Sequence, residues 1–146
     1  MSDIRIDREG VWFYKGTEMS RRDIINYFYQ HLLQDESGCF IQIGHQRCPI
    51  EVEDTAYVVR AVYWTGIGNK LEENARLLLS DDSIEDLDPE TLRIGQENIL
   101  YCGVKARRFE ARFSTSSYYQ LAENIRYDAL NNDYFIELRG RRHLIK

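Results

Sequence analysis

Two segments of the sequence follow the same order of elements, and this internal similarity constrains the fold more than any other feature. In each segment a serine precedes apolar residues at helical spacing, and a polar turn and two short strands follow. Ser20 and Ser116 are 96 residues apart, and the phenylalanines that open the first strands, Phe40 and Phe135, are 95 residues apart. A strand pair also precedes each helix. We therefore predict an α+β protein with two similar strand–strand–helix–hairpin halves, related by duplication and built on mostly antiparallel sheets.

The spacing of apolar residues predicts the individual elements. The strongest strand signal is segment 56–65, which is rich in Val, Tyr and Trp. One helix is predicted to start at a capping box of Ser20 and Asp23 and to bury Leu32 and Leu33, and a second is predicted over 116–130. The other predicted strands occupy residues 4–6, 11–14, 39–43, 47–52, 70–79, 99–105, 108–113, 133–138 and 141–145.

Charge is unevenly distributed along the chain. Residues 1–104 carry a net charge of −9 and residues 105–146 carry +4, and six acidic residues fall within 81–90 without a basic one. Runs of like charge are typically solvated, so we predict an acidic linker loop over 81–98 between an N-terminal half, 1–80, and a C-terminal half, 99–146. Alternatively, the acidic part attracts the basic tail, either within one chain or across a homodimer.

Composition excludes several classes of protein. The 146 residues are 43% hydrophobic and 29% charged, with two prolines and a formal net charge of −5. These values exclude a disordered chain, a membrane protein and a strongly basic nucleic-acid binder, so we expect neither a membrane nor a nucleic acid as partner. The first residues lack the apolar core of a secretory signal, and three widely spaced cysteines do not suit a disulfide framework. We therefore expect a cytoplasmic protein with reduced thiols.

The cysteines are the candidates for nucleophilic chemistry. Cys48 and Cys102 each alternate with apolar residues, which predicts that both lie on apolar strand faces, where the pKa of a thiol rises. Lys105, Arg107 and Arg108 are near Cys102 in sequence and could stabilise its thiolate. Cys39, His45 and Cys48 lack a fourth ligand for zinc, so we predict no metal site and no cofactor.

Charged and aromatic residues suggest where a ligand could bind. Aromatic residues make up 12% of the chain and mostly follow strand and helix faces, which leaves Trp12, Tyr14, Trp64 and Tyr101 as candidates for a groove. Arg60 lies among valines on a predicted strand, so it needs a partner if it is buried, and Asp54 or Glu73 could be that partner.

Two further charged clusters have two interpretations each. The adjacent carboxylates Glu53 and Asp54 suit either acid–base chemistry or the capping of a turn. The basic cluster at 139–143 suits either phosphate binding or a solvated hairpin tip, and we favour the hairpin tip.

Four short segments resemble a known bacterial family. Segments 6–12 (IDREGVW), 50–57 (IEVEDTAY), 101–105 (YCGVK) and 118–121 (YYQL) are similar to motifs of the family called domain of unknown function 1285. The resemblance implies a core made by duplication, a C-terminal half like a pleckstrin-homology fold and a ligand site at the interface of the halves. It also implies a role in signalling or a nucleophilic cysteine, both of which are proposals for that family.

These observations leave three functional hypotheses. The first is a binding or sensing module for a small anionic ligand, linked to bacterial signal transduction. Its predicted site residues are Trp12, Asp54, Arg60, Trp64, Tyr101 and Arg107. The second is a thiol-dependent enzyme with Cys102 or Cys48 as nucleophile, and the third is a homodimeric interaction scaffold. We favour the binding module over an enzyme.

Overall fold

The computed structural model describes residues 3–146, which form two α-helices and sixteen β-strands. The helices are α1 (Arg22–Gln30) and α2 (Thr115–Ala122). The strands are β1 (Ile4–Ile6), β2 (Trp12–Tyr14), β3 (Thr17–Glu18), β4 (Leu32–Asp35), β5 (Gly38–Ile43), β6 (Gln46–Pro49), β7 (Glu51–Val52), β8 (Tyr57–Thr65), β9 (Asn74–Leu79), β10 (Ile84–Asp86), β11 (Arg93–Ile94), β12 (Leu100–Val104), β13 (Phe109–Phe113), β14 (Ile125–Asp128), β15 (Asp133–Leu138) and β16 (Arg141–Leu144).

The strands form four sheets. A four-stranded sheet has the order β3-β2-β1-β7, and a six-stranded sheet has the order β10-β9-β8-β13-β12-β11. The other two sheets, β4-β5-β6 and β14-β15-β16, have three strands each. In the described part of the chain, β1–β7 and β8–β13 pair in parallel and every other strand pair is antiparallel. The predicted α+β class with mostly antiparallel sheets is confirmed.

The first hairpin forms as predicted, with Ile6 opposite Trp12. Gly10 in its turn has a φ of +84°, and a Cβ at this position would lie 2.9 Å from Cγ2 of Val58. Glycine is therefore needed here both for the left-handed backbone and for the close approach of the turn to β8.

Both predicted helices are too long. Helix α1 begins after Arg21, whose side chain has no acceptor to cap it, so the predicted capping box of Ser20 and Asp23 does not form; Asp23 binds the Arg21 guanidinium at 2.6 Å. Its predicted stripe residues Leu32 and Leu33 lie in β4, and residues 125–128 of the second predicted helix form β14. A few apolar residues fit both a helical and a strand period, and pairing with the following strand decides between them.

Two strand predictions and the predicted loop also need correction. The predicted strand 47–52 is divided between β6 and β7, because Pro49 has no N–H to continue the ladder and Glu51–Val52 pair with β1. The predicted strand 70–79 begins only at Asn74. Segment 81–98 is more than a loop, since it contains the edge strands β10 and β11 of the six-stranded sheet. The division into domains at 1–80, 81–98 and 99–146 stays a prediction.

The two similar segments form matching modules, each with a helix followed by a three-stranded antiparallel sheet. The guanidinium of Arg47 lies 3.7 Å from the ring centroid of Phe40, and that of Arg142 lies 3.8 Å from that of Phe135. Each arginine, on the third strand of its module, also pairs with the aspartate that ends the first strand. Arg47 lies 2.6 Å from Asp35, and Arg142 lies 3.2 Å from Asp128. The common origin of the modules by duplication, and the likeness of the C-terminal half to a pleckstrin-homology fold, stay predictions.

The apolar core of the described residues joins α1, α2, the six-stranded sheet, the first hairpin and β15, and it encloses a polar cluster around Tyr29. The hydroxyl of Tyr29 donates to the carbonyl oxygen of Ala56 at 2.8 Å and lies 2.9 Å from Oγ of Ser80. Oγ of Ser80 also accepts from the backbone N–H of Val58 at 3.0 Å. These bonds attach α1 to the start of β8 and the end of β9.

We expect Tyr29→Phe to lower the free energy of unfolding by about 1–3 kcal/mol, because it leaves the buried carbonyl of Ala56 without its donor. Tyr27→Phe on the same helix is the control, since Tyr27 is 45% exposed and should lose almost nothing. Urea denaturation followed by circular dichroism measures both. Equal effects of the two variants would contradict the structural role of the Tyr29 hydroxyl.

The turn between β12 and β13 has a left-handed backbone whose cost to stability can be tested. Lys105, Ala106 and Arg107 have φ values of 53°, 57° and 66°, and the Arg108 N–H closes the turn on the Lys105 carbonyl at 3.1 Å. Left-handed backbone costs a residue with a Cβ about 1–2 kcal/mol, so we expect Ala106→Gly to stabilise the protein by about 0.5–1 kcal/mol. Ala129→Gly, at a residue with negative φ, is the control and should not stabilise. A rise in the midpoint of thermal unfolding for Ala129→Gly but not for Ala106→Gly would refute this interpretation.

Candidate functional site

The six predicted ligand residues do not form a single site. Trp12 is in the core with 1% of its surface exposed, and its ring packs edge-on against Tyr29 with 4.9 Å between centroids. Trp12 is predicted above to line a groove, but the first hairpin turns its side chain into the core. Its Nε1 has no hydrogen-bond partner among residues 3–146.

Arg60 points to solvent. The register of β8 against β9 shifts between Val59 and Ala61, and a bulge of this kind redirects the extra residue. The Arg60 guanidinium pairs with Asp82 at 3.3 Å rather than with Asp54 or Glu73, the two predicted partners. The same carboxylate also binds Arg22 at 3.1 Å, so Arg60 belongs to a contact between α1 and the turn after β9.

The side chains of Trp64 and Arg107 form contacts that connect elements of the fold. Nε1 of Trp64 donates to the carbonyl oxygen of Gln120 at 3.2 Å, and Oε1 of Gln120 accepts from the N–H of Val62 at 2.8 Å, so this pair of bonds holds α2 on β8. The Arg107 guanidinium binds Asp88 through Nε at 2.7 Å and through a second nitrogen at 3.1 Å.

Asp54 and Tyr101, in contrast, are in direct contact. The Tyr101 hydroxyl donates to Oδ2 of Asp54 at 2.8 Å, and the Arg112 guanidinium binds the same oxygen at 3.1 Å. Desolvation and the bond to the Asp54 carboxylate raise the pKa of Tyr101 above its ordinary value. Arg112 is not among the residues predicted for the site, although its position on β13, opposite Tyr101, places the two side chains on one face of the sheet.

A second set of charged residues extends this network. The Arg93 guanidinium lies 4.3 Å from the ring centroid of Tyr101 and binds the Glu110 carboxylate at 2.5 and 2.6 Å. Glu110 and Arg112 alternate with buried residues along β13, and this alternation is the signal that could have identified them.

A cavity of about 730 Å³, here called the junction cavity, lies beside this network. It is bounded by segment 50–56, by the turn between β4 and β5, and by Glu110 of the six-stranded sheet. A smaller cavity of about 370 Å³ shares Glu53 and Asp54 with it and reaches Tyr101 and Arg8. Asp54 therefore lies where the two cavities meet.

The lining of the junction cavity is acidic. It contains the carboxylates of Glu51, Glu53, Asp54 and Glu110 against the single guanidinium of Arg5. Arg5 is 3.5 Å from Glu53, so this cation is already paired. The arrangement can accept hydrogen bonds and can neutralise a positive charge.

The cysteines do not form a nucleophilic site. Cys102 is fully buried, and burial together with the nearby carboxylates of Glu85, Glu110 and Asp88 raises the pKa of its thiol. Cys48 is exposed, contrary to prediction, because β6 is an edge strand whose residues are all exposed. Cys39 lines the junction cavity, and burial raises the pKa of its thiol as well. A nucleophilic cysteine needs a lowered pKa, so the surroundings of Cys102 and Cys39 do not favour them as nucleophiles.

The acidic run 81–90 is neutralised within the chain. Asp81 pairs with Lys105 at 2.8 Å and Asp88 with Arg107 at 2.7 Å, and the carboxylate of Glu85 accepts from the Lys105 N–H. The other three acids of the run also have basic partners: Asp82 binds Arg22 and Arg60, Asp86 binds Arg76 and Arg139, and Glu90 contacts His143. Five of the six acids in this run therefore contact a basic side chain of the same chain, and the homodimer alternative stays a prediction.

The described residues contain neither a metal-binding cluster nor a helix that could span a membrane. Within residues 3–146, no three His, Cys, Asp or Glu side chains are grouped so that they could hold a metal ion, and this includes Cys39, His45 and Cys48. Neither helix of this part of the chain is long and apolar enough to cross a bilayer.

Thiol accessibility provides a direct test of these surroundings. We expect Ellman's reagent at neutral pH to modify Cys48 first, Cys39 more slowly and Cys102 only after unfolding, because the three thiols are exposed, half-buried and fully buried. Cys48→Ser should remove the fast phase. Modification of Cys102 in the native protein would contradict the structure.

Comparisons with known proteins agree with this architecture. Residues 1–55 match the N-terminal domain of the domain of unknown function (DUF1285) family. No curated protein matches the chain. A DUF1285 family protein from Silicibacter pomeroyi DSS-3 has a similar structure, with a TM-score of 0.82, 21% identity, and coverage of 99% of this chain and 78% of that one.

A second DUF1285 family protein, from Shewanella baltica OS155, has a TM-score of 0.70 and 14% identity, over 84% of this chain and 92% of that one. At these identities the two structures establish a shared fold. The resemblance predicted from the sequence is thus confirmed: residues 1–55 match the N-terminal domain of the DUF1285 family, and the chain shares its fold with two DUF1285 family proteins.

Proposed function

We propose that this chain is a non-catalytic module that binds a small polar ligand with a positively charged group in the junction cavity. The observation that carries the proposal is the lining of that cavity, in which four carboxylates face one arginine. Its volume of about 730 Å³ is within the range of ~300–1,000 Å³ that is typical of small-molecule sites.

Three of the four carboxylates are held in place by arginines. Arg5 lies near Glu53, Arg112 binds Asp54, and Arg93 binds Glu110. These acceptors are therefore fixed before a ligand arrives, which lowers the cost of binding.

Glu51 differs from the other three carboxylates. It lies on β7 at the edge of its sheet, and in residues 3–146 it forms no ion pair. It is the group that is free to pair with an incoming cation. An anion would face all four carboxylates, so we propose a cationic ligand in place of the anion that we expected from the sequence.

The position of the cavity suits a sensing role. Glu51 belongs to the four-stranded sheet, whereas Glu110 belongs to the six-stranded sheet. A ligand that contacts both carboxylates stabilises the packing of the two sheets, and binding is then reported as a change in stability. The link to bacterial signal transduction stays a prediction from the family resemblance.

Matched four-carbon ligands test the sign of the charge. We expect putrescine to raise the midpoint of thermal unfolding in a saturable way and succinate to have no such effect, because only the diamine can pair with the carboxylates. Glu51→Gln should weaken putrescine binding about fivefold, which is the loss expected for one exposed ion pair.

Glu18→Gln on β3 is the matched control, since Glu18 is exposed and lies outside the junction cavity. Stabilisation by succinate equal to that by putrescine would reject the cationic ligand. Equal behaviour of Glu51→Gln and Glu18→Gln would reject the cavity as the place where it binds.

A further inference from the structure

A third cavity, of about 320 Å³, lies where the β9–β10 side of the six-stranded sheet meets the last hairpin. It shares no lining residue with the junction cavity, so it represents a separate site. Its walls are mostly apolar and include Leu87, Pro89 and Leu138. We call it the Asn74 cavity after the polar side chain in its wall.

The side-chain amide of Asn74, in the wall of this cavity, has no hydrogen-bond partner in the described chain. Only 8% of its surface is exposed, and no hydrogen bond to its side-chain amide is formed by any other residue of the range 3–146. Leu87, Pro89 and Leu138 in the same wall offer no polar group, so the amide is left to bond solvent or a molecule in the cavity. The amide carries both a donor and an acceptor toward a bound molecule.

The mouth of the Asn74 cavity is basic. Arg139, Arg141 and His143 line it together with one acid, Asp86. That acid is already shared by Arg76 at 3.3 Å and Arg139 at 3.5 Å. His143 contacts Glu90 at 2.8 Å, whereas the Arg141 guanidinium has no ion-pair partner in the described chain. Arg141 is therefore the free cation at this site.

We infer that the Asn74 cavity binds a small organic acid with an apolar body and a hydrogen-bonding group opposite its carboxylate. Leu87, Pro89 and Leu138 contact the apolar body. The carboxylate pairs with Arg141, and the polar group at the other end of the ligand satisfies the amide of Asn74. This second ligand class is independent of the proposed function, because it uses other residues and the opposite charge.

Three ligands separate these contributions in calorimetric titrations of the full chain. p-Hydroxybenzoate carries both groups, benzoate lacks the hydroxyl, and p-hydroxybenzamide lacks the charge. We expect saturable one-to-one binding of p-hydroxybenzoate and weaker binding of the other two by about tenfold, since each lacks one of the two polar contacts.

Variants then assign the contacts to residues. Arg141→Gln should weaken the binding of p-hydroxybenzoate about tenfold. Arg126→Gln, on β14 of the same sheet, should leave this affinity unchanged, because Arg126 is exposed and does not line the cavity. Asn74→Leu should bind benzoate and p-hydroxybenzoate equally well. Glu51→Gln, which tests the junction cavity, should leave all three titrations unaltered.

The proposal is overturned if p-hydroxybenzoate gives no saturable binding, or if Arg141→Gln and Arg126→Gln have the same affinity. If circular dichroism shows that Asn74→Leu does not fold, the comparison of benzoate with p-hydroxybenzoate on the unmodified protein decides the role of Asn74. Equal affinities of the unmodified protein for these two acids would reject that role.

Discussion

The parallel pairing of β8 with β13 holds the whole arrangement together. Tyr57, Val58 and Val59 lie opposite Ala111, Arg112 and Phe113, and this register joins the two sides of the chain in one six-stranded sheet. It also brings the segment before β8, which contains Asp54, next to the strands that carry Tyr101 and Arg112. The junction cavity exists because of this contact, since Glu110 on β13 closes one of its sides.

Arginines that pair with carboxylates recur throughout the structure. They cover aromatic rings in both three-stranded modules, fix the carboxylates around the junction cavity and neutralise the acidic run 81–90. Most of these pairs are partly exposed, so each adds little to the free energy of folding. Their main contribution is to orientation, because a planar guanidinium fixes both the distance and the direction of a carboxylate. Among the described residues, Glu51 and Arg141 are two of the charged groups that have no ion-pair partner, and the two proposed sites depend on them.

Local patterns in the sequence predicted the class of fold and many of its strands, because a strand with one buried face has a clear period of two. They did not predict β4 or β14, since four residues fit either period until a partner strand is known. Asp54 and Tyr101 were both identified as candidates, but their contact depends on the β8–β13 pairing between distant segments. The partner of Arg60 depends on a bulge, and the isolation of Asn74 depends on the hairpin that packs beside it. Neither of these could be read from nearby residues.

The same parallel pairing has a consequence for the order of events during synthesis. When β8 leaves the ribosome, its antiparallel partner β9 follows directly, but β13 is made only after the whole segment between them. Until then one edge of an apolar strand has no partner, and such edges associate readily with other chains. The edge of β8 is paired only when β13 has been made, so about three-quarters of the chain is synthesised before the six-stranded sheet can be completed.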